Sequence, residues 1–419
     1  MLLKYGTGEV KLELPKATST KVISGSSSQA LADPQGAVKN ALQQPVASPP
    51  LQGTVEPGET VCILVNDATR AARSEVFLPP LIETLVSAGV NKKDIFIVFT
   101  NGSHRTLASR EMKDLVGKEV ASEVAMFNHD CRDMKNHIDY GFTRRGTPVH
   151  VNKMVVQADR RILTGSVVHH FFAGFGGGRK ALIPGVAGWE TIQKNHSLLF
   201  DKRAQSGRLE GNPVHEDLLE AAFLAGGGFL LNTVLNEKND ISGVFAGNMV
   251  KAHLQACSLV DKINGVFLEN PADVVIASCG GHPKDINLYQ AHKTLDNTIR
   301  AMKPGGSLIL LAKCPEGIGS ENYEKWASKH LSLQDLETKL KAQFELGGHK
   351  AYTVAKLLQK GKVYLLADLP PERAEMLGFI PVTTLDEAFS AVYRGKTDPL
   401  TYIFPRGDRC LPSVGAFSE

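Results

Sequence analysis

The chain has 419 residues, of which 42% are hydrophobic and 22% charged, with a formal net charge of +3. That is the balance of an ordinary globular protein with room for two or three domains, and it offers no basic footprint for nucleic acid. Basic residues are scattered, and no apolar run reaches the roughly 20 residues that span a bilayer, so no membrane partner is expected either.

The chain opens on "MLLKYGTGEVKLELP", apolar and charged residues alternating around a Gly-Thr-Gly turn. This reads as a β-hairpin and not a signal peptide. Residues 17–59, rich in Ser, Ala, Gln and Pro, read as a partly helical connection over the surface. The pattern then sharpens. "TVCILVND" is a buried strand, "SEVFLPPLIETLVSAG" a helix with a glycine stop, and "DIFIVFTNGS" a second buried strand. Such a β-α-β unit implies a parallel sheet covered by helices. "RILTGSV" is another strand, running directly into "HHFFAGFGGGRKALIPG". A second series starts near residue 272 with the strand "ADVVIASCGG", the helix "QAHKTLDNTIRAM" and the strand "PGGSLILLAKC". "KVYLLADLP" and a helix around "LDEAFSAVY" complete it. The expected fold class is α/β: two α/β domains with mainly parallel sheets, an active-site cleft between them and the N-terminal hairpin. The expected boundaries are 1–268, 269–398 and a tail over 399–419 packing back on the N-terminal domain. Six widely spaced cysteines (Cys62, Cys131, Cys257, Cys279, Cys314, Cys410) make neither a zinc ribbon nor a disulfide framework, which suits buried thiols in the cytoplasm.

In open parallel sheets, ligands bind outside the carboxyl ends of the strands. Asp67 and Arg70 ("NDATR"), His104 and Arg105 ("TNGSHR"), and His169 and His170 ("GSVVHH") all follow strands. So does "CGGHPKDINLYQAHK", with Lys284, Asp285, Tyr289, Gln290 and Lys293. Gly174, Gly176, Gly177 and Gly178 allow backbone amides to face an anion, and Arg179 and Lys180 add charge. A P-loop would need a hydroxyl after the lysine, where Ala181 stands, and G-x-G-x-x-G is not matched. A phosphate-bearing ligand other than ATP and a loop that serves only packing both remain open. His196, sixteen positions after Lys180, is not identified as a metal ligand by its spacing. His129, His137 and His150 read as surface residues, His282 and His292 as neighbours of the site segment, and Trp189 and Trp326 as packing residues.

Taken together, D-A-T-R, N-G-S-H-R, H-x-x-A-G-F-x-G-G-R-K, the later histidine and Y-Q-x-x-K resemble the nickel-dependent lactate racemase family over nearly the whole chain. The resemblance implies a 2-hydroxyacid racemase or epimerase using a nickel pincer nucleotide, pyridinium-3,5-bisthiocarboxylic acid mononucleotide nickel. That cofactor is made by separate biosynthesis proteins. It further implies His196 as the protein's nickel ligand, Lys180 as the residue holding or tethering one cofactor arm, and Gly176, Gly177, Gly178 and Arg179 against the nucleotide. His104 and His170 would be the paired acid–bases, with Asp67, Arg70, Tyr289, Gln290 and Lys293 binding substrate. Three departures stand out: Ala71-Ala72-Arg73 after D-A-T-R, His169 where the family has proline, and "GFGGGRK" for "GFSGGRK". Arg73 and His169 would make the pocket rim polar, which points to a sugar acid or dicarboxylate in preference to lactate. The rival readings are an NAD-dependent dehydrogenase, disfavoured by the missing fingerprint, and a non-catalytic carrier of the nickel nucleotide.

Overall fold

The β-branched run Val61–Asn66 has five of its six residues fully buried, as a central parallel strand requires. It lies at the middle of a six-stranded sheet ordered Ile241–Asn248, Phe229–Leu235, Arg160–Ser166, Val61–Asn66, Ile95–Thr100, Ala125–Asn128. All neighbours pair in parallel except the first two strands, which are antiparallel. The helix Ser74–Ser87 carries Pro79 and Pro80 in its interior, each of which removes a helical hydrogen bond. It forms because Phe77, Leu78, Leu81, Ile82 and Leu85 are buried in the core of this sheet. Each such side chain contributes on the order of 1.5–3 kcal/mol.

The second sheet is parallel throughout, ordered Ile380–Val382, Gly361–Leu366, Met302–Leu311, Ala272–Ser278, Thr401–Phe404, Thr20–Val22. In this computed structural model, which describes residues 1–15 and 19–415, the two sheets belong to separate compact units. One is Ser27–Ile263; the other combines Met1–Ser26 with Asn264–Glu419.

The expected hairpin is present, Leu2–Tyr5 pairing antiparallel with Gly8–Lys11, and Gly6 takes the positive φ of 55° that the two-residue turn demands. It belongs with the C-terminal unit and not, as its position in the chain suggested, with the first. The tail also departs from expectation. Thr401–Phe404 is fully buried and inserted between the Ala272–Ser278 and Thr20–Val22 strands, so residues after 398 complete the second sheet. Gly265–Leu268 pairs with Leu411–Val414 and likewise joins that unit. Within 17–59 the helix Pro34–Gln43 is present, capped by Asp33, together with a strand the sequence did not signal, Thr20–Val22, whose three residues are all exposed. Lys16–Thr18 and the last four residues of the tail lie outside the described residues. All six cysteines are buried and unbridged. Among the described residues no helix is long and apolar enough to cross a membrane.

Candidate active site

In the first sheet, chain order runs outward in one direction from Val61–Asn66 to Ala125–Asn128, and in the other from Arg160–Ser166 to Ile241–Asn248. Loops leaving the adjacent strands Val61–Asn66 and Arg160–Ser166 therefore diverge, which opens the crevice of a topological switch point. The segment with Asp67 and Arg70 leaves the first of these strands; His169, His170 and the glycine loop leave the second.

Asp67 is buried and its carboxylate accepts His104 Nδ1 at 2.6 Å, the Thr69 hydroxyl at 2.7 Å and the Thr69 amide at 3.1 Å. Burial alone pushes this carboxyl up. The hydrogen bonds from His104 and Thr69 and the charges of His104 and Arg70 outweigh that and hold it below its ordinary range. An ionised Asp67 fixes a His104 proton on Nδ1, so Nε2 is the ring nitrogen of this half-exposed side chain left to meet a ligand.

His170 is held differently. Its Nδ1 accepts the Ala173 amide at 3.3 Å, so the neutral ring carries its proton on Nε2. Desolvation, reinforced by the charges of Lys180, Arg70, His196 and Arg179, keeps it well below the usual imidazole pKa. Lys180 is likewise pushed well below the usual lysine value by desolvation and by Arg70 and Arg179, which favours the nucleophilic free amine. The charge of Arg70 thus acts on Asp67, His170 and Lys180 alike.

One buried ring gathers the remaining groups. Phe172 lies edge-on to His170 at 4.6 Å and to His196 at 5.0 Å, with Lys180 Nζ 5.8 Å from its centre. His196 reaches it from the last residue of the helix Trp189–His196. Sequence reasoning passed over Phe172; its only signal was an aromatic pair set inside the histidine–glycine segment.

Among the described residues no three His, Cys, Asp or Glu side chains are arranged to hold a metal ion. Two imidazoles and one amine beside Phe172 suit a metal that brings most of its donors in an organic ligand. They do not suit a bare ion.

The glycine loop makes its own internal contacts. The Gly178 amide is bonded to Asn232 Oδ1 at 2.7 Å and the Gly176 amide to the Val168 carbonyl at 2.8 Å. A Cβ on Gly177 would sit 2.7 Å from Asn232 Oδ1, and one on Gly178 would sit 2.7 Å from the His253 ring, both at positive φ. Arg179 is buried and donates to the Phe175 and Ala173 carbonyls at 3.3 and 3.0 Å, burial lowering it to about 10. Gly177, Gly178 and Arg179 therefore pack the loop against the protein, and the amides of Gly176 and Gly178 are spent internally instead of facing an anion.

Arg73 and His169 are also engaged. Arg73 binds Glu75 at 2.7 Å and Asp240 at 3.3 Å, and His169 Nε2 binds Asp261 at 2.8 Å with its ring on Phe175. His129 is buried and not at the surface, bonded to the Ala187 carbonyl and to Asn152, while His137 and His150 are half-buried. Trp189 stacks under Arg132, and Trp326 is buried with its N–H on Glu345, both as packing residues.

On the second unit, Tyr289, Gln290 and Lys293 occupy the first turns of the helix Leu288–Thr298, whose Asn287 cap accepts the Gln290 amide at 3.0 Å. Lys293 donates to Gln290 Oε1 at 2.9 Å, the contact expected of i, i+3 neighbours. Asp285 instead serves structure: it is fully buried and accepts the Gly6 amide of the hairpin. His282 is exposed.

Residues 5–207 match the lactate racemase N-terminal domain and 268–407 the lactate racemase C-terminal domain. The lactate racemase of Thermoanaerobacterium thermosaccharolyticum is 34% identical over 343 residues, covering 81% of this chain and 80% of its own. That of Lactiplantibacillus plantarum is 33% identical over 294 residues, 69% of this chain and 68% of its own. The structure of the T. thermosaccharolyticum lactate racemase apoprotein superposes with a TM-score of 0.90 at 30% identity, covering 98% of this chain and 99% of its own. A Thermotoga maritima protein at 18% identity and TM-score 0.70, covering 91% of this chain and 99% of its own, shares the fold.

Proposed function

The chain belongs to the lactate racemase family and is an isomerase, and from that premise we propose that it inverts C2 of lactate by reversible hydride transfer through pyruvate. The observation that carries this reading is the pair of differently held histidines: His104 bound through Nδ1 to Asp67, and His170 neutral with its proton on Nε2, the charge of Arg70 acting on both Asp67 and His170. An α-hydrogen on a hydroxyacid is too weakly acidic for imidazole to remove as a proton, so C2 must lose hydride while a base takes the hydroxyl proton.

Family membership implies a nickel-containing cofactor, and we identify it with the nickel pincer nucleotide, which when bound accepts and returns the C2 hydride. His196 would hold the nickel, and Lys180, with its amine favoured, would hold one cofactor arm. Arg70 binds the substrate carboxylate through its planar guanidinium. His104 Nε2 removes the hydroxyl proton as the carbonyl forms, and Asp67 stabilises the resulting imidazolium. His170, with Nδ1 held by the Ala173 amide, hydrogen-bonds the opposite presentation of the oxygen through its Nε2–H and is the second histidine of the pair. Tyr289, Gln290 and Lys293 contact substrate. The site acts on a small molecule and draws its cofactor from other proteins.

A lactate-sized acid is preferred over a sugar acid because Arg73 and His169, which alone argued for a polar rim, are paired with Glu75, Asp240 and Asp261. The test is a panel of single-enantiomer 2-hydroxyacids with cofactor-loaded protein, followed by chiral analysis. Lactate should interconvert with the highest kcat/KM. Net oxidation dependent on added NAD, with no inversion, would replace this reading with a dehydrogenase.

A further inference from the structure

The helix Leu288–Thr298 carries a second, buried set of polar groups. Lys350, in the helix Gly348–Leu358, is only 3% exposed, and its amine lies 2.9 Å from Nδ1 of His292, itself 2% exposed. The same amine sits over the Tyr289 ring, 4.9 Å from its centre. Both contacts fall on the one turn that bears Gln290 and Lys293. His349, Lys293 and Asp296 are the other titratable groups acting on this pair.

A lysine amine without solvent is expensive to keep. Burial, with Lys293 nearby, lowers Lys350 to about 7 despite the opposing pull of Asp296. A methionine has the same reach and fills such a space at no desolvation cost, so packing alone does not call for an amine here. What the amine adds is direction: a donor aimed at His292 Nδ1 and an electropositive head on the face of Tyr289.

We propose that Lys350 is a positioning residue for substrate binding, clamping His292 and Tyr289 so that Tyr289, Gln290 and Lys293 present one fixed arrangement to the 2-hydroxyacid. This rests on the reading that those three residues bind substrate. The clamp acts on recognition and not on the C2–H step, so it predicts a split between KM and kcat.

The experiment compares cofactor-loaded wild type, Lys350→Met and Lys350→Arg on both lactate enantiomers, with thermal unfolding of each. Lys350→Met should raise KM about tenfold, change kcat less than about threefold, and leave Tm unchanged or higher. Lys350→Arg, which restores a cation and donors, should recover most of the KM. An unchanged KM in Lys350→Met overturns the proposal, as does a loss confined to kcat. Should Lys350→Met fail to fold, His292→Asn decides: a raised KM at constant kcat supports the clamp, and a wild-type KM overturns it. Absence of racemisation by the loaded wild type would instead strike the functional reading itself.

Discussion

The two units are built on the same plan, open sheets of six strands, yet they treat the carboxyl ends of their strands differently. In the first unit those ends release loops carrying Asp67, Arg70, His104, His170 and Lys180, all groups that move or hold charge. In the second, the hairpin turn settles there: Gly6 is bonded to Asp285, the Ser278 hydroxyl to the Lys4 carbonyl, and a Cβ on Gly6 would strike Lys313. Further along the same segment comes the helix turn bearing Tyr289, Gln290 and Lys293. The sheet supplies a crevice, and the side chains at its rim decide whether that crevice reacts, recognises or is simply filled.

If that division is right, substitutions in the two units should fail in different ways. The largest effects belong to the first. His104→Asn and His170→Asn should each lower kcat by about 10²–10⁴-fold while nickel content, read by elemental analysis, stays at the wild-type level. His196→Ala should lose the nickel. Lys293→Ala, in the second unit, should act mainly on KM. A Lys293→Ala variant with normal KM and a collapsed kcat would erase the contrast.

A smaller effect separates the units by acid sensitivity. Burial lowers His129 to about 4 and His253, beside Arg179, to about 3 in the first unit, and His349 to about 3 in the second. Their folded pKa values lie below the unfolded value near 6.5, so the unfolded chain takes up protons first as pH falls. Stability should therefore decline below pH ~6.5, by about 1.4 kcal/mol per pH unit for each such imidazole, until the folded pKa values are reached. His170 adds to the first unit and His292 to the second in the same direction. The depressed Asp67 carboxyl acts in a lower window, its contribution being lost only as pH falls through its own folded value. Hydrogen exchange at pH 7 and 5.5 should show the larger loss of protection in the first unit. Equal loss in both would remove this distinction.

Much of this was legible in the sequence because it is local. The buried strand runs, the Pro34–Gln43 helix and the hairpin turn rest on neighbouring residues, and the proposed site residues Asp67, His104 and His170 follow strands visible as apolar runs. What escaped depends on distant partners. Nothing near Gly178 announces that its missing Cβ makes room for His253, or that its amide is taken by Asn232. Arg73 finds Asp240 and His169 finds Asp261 only through the fold, and without those acids both read as free polar rim. The Thr401–Phe404 strand is four residues long and follows an apparently finished series, so its place inside the second sheet came from pairing and not from pattern. Lys350 stands in a helix whose neighbours give no hint of its contact with His292.

The most direct measurement is racemisation of unlabelled D-lactate by cofactor-loaded protein in D2O, with the L-lactate formed analysed by mass spectrometry and NMR at C2. Hydride that leaves and returns without meeting solvent predicts protium at C2 of the inverted product. Stoichiometric deuterium there would mean that the hydrogen departs as a proton, and would contradict the account.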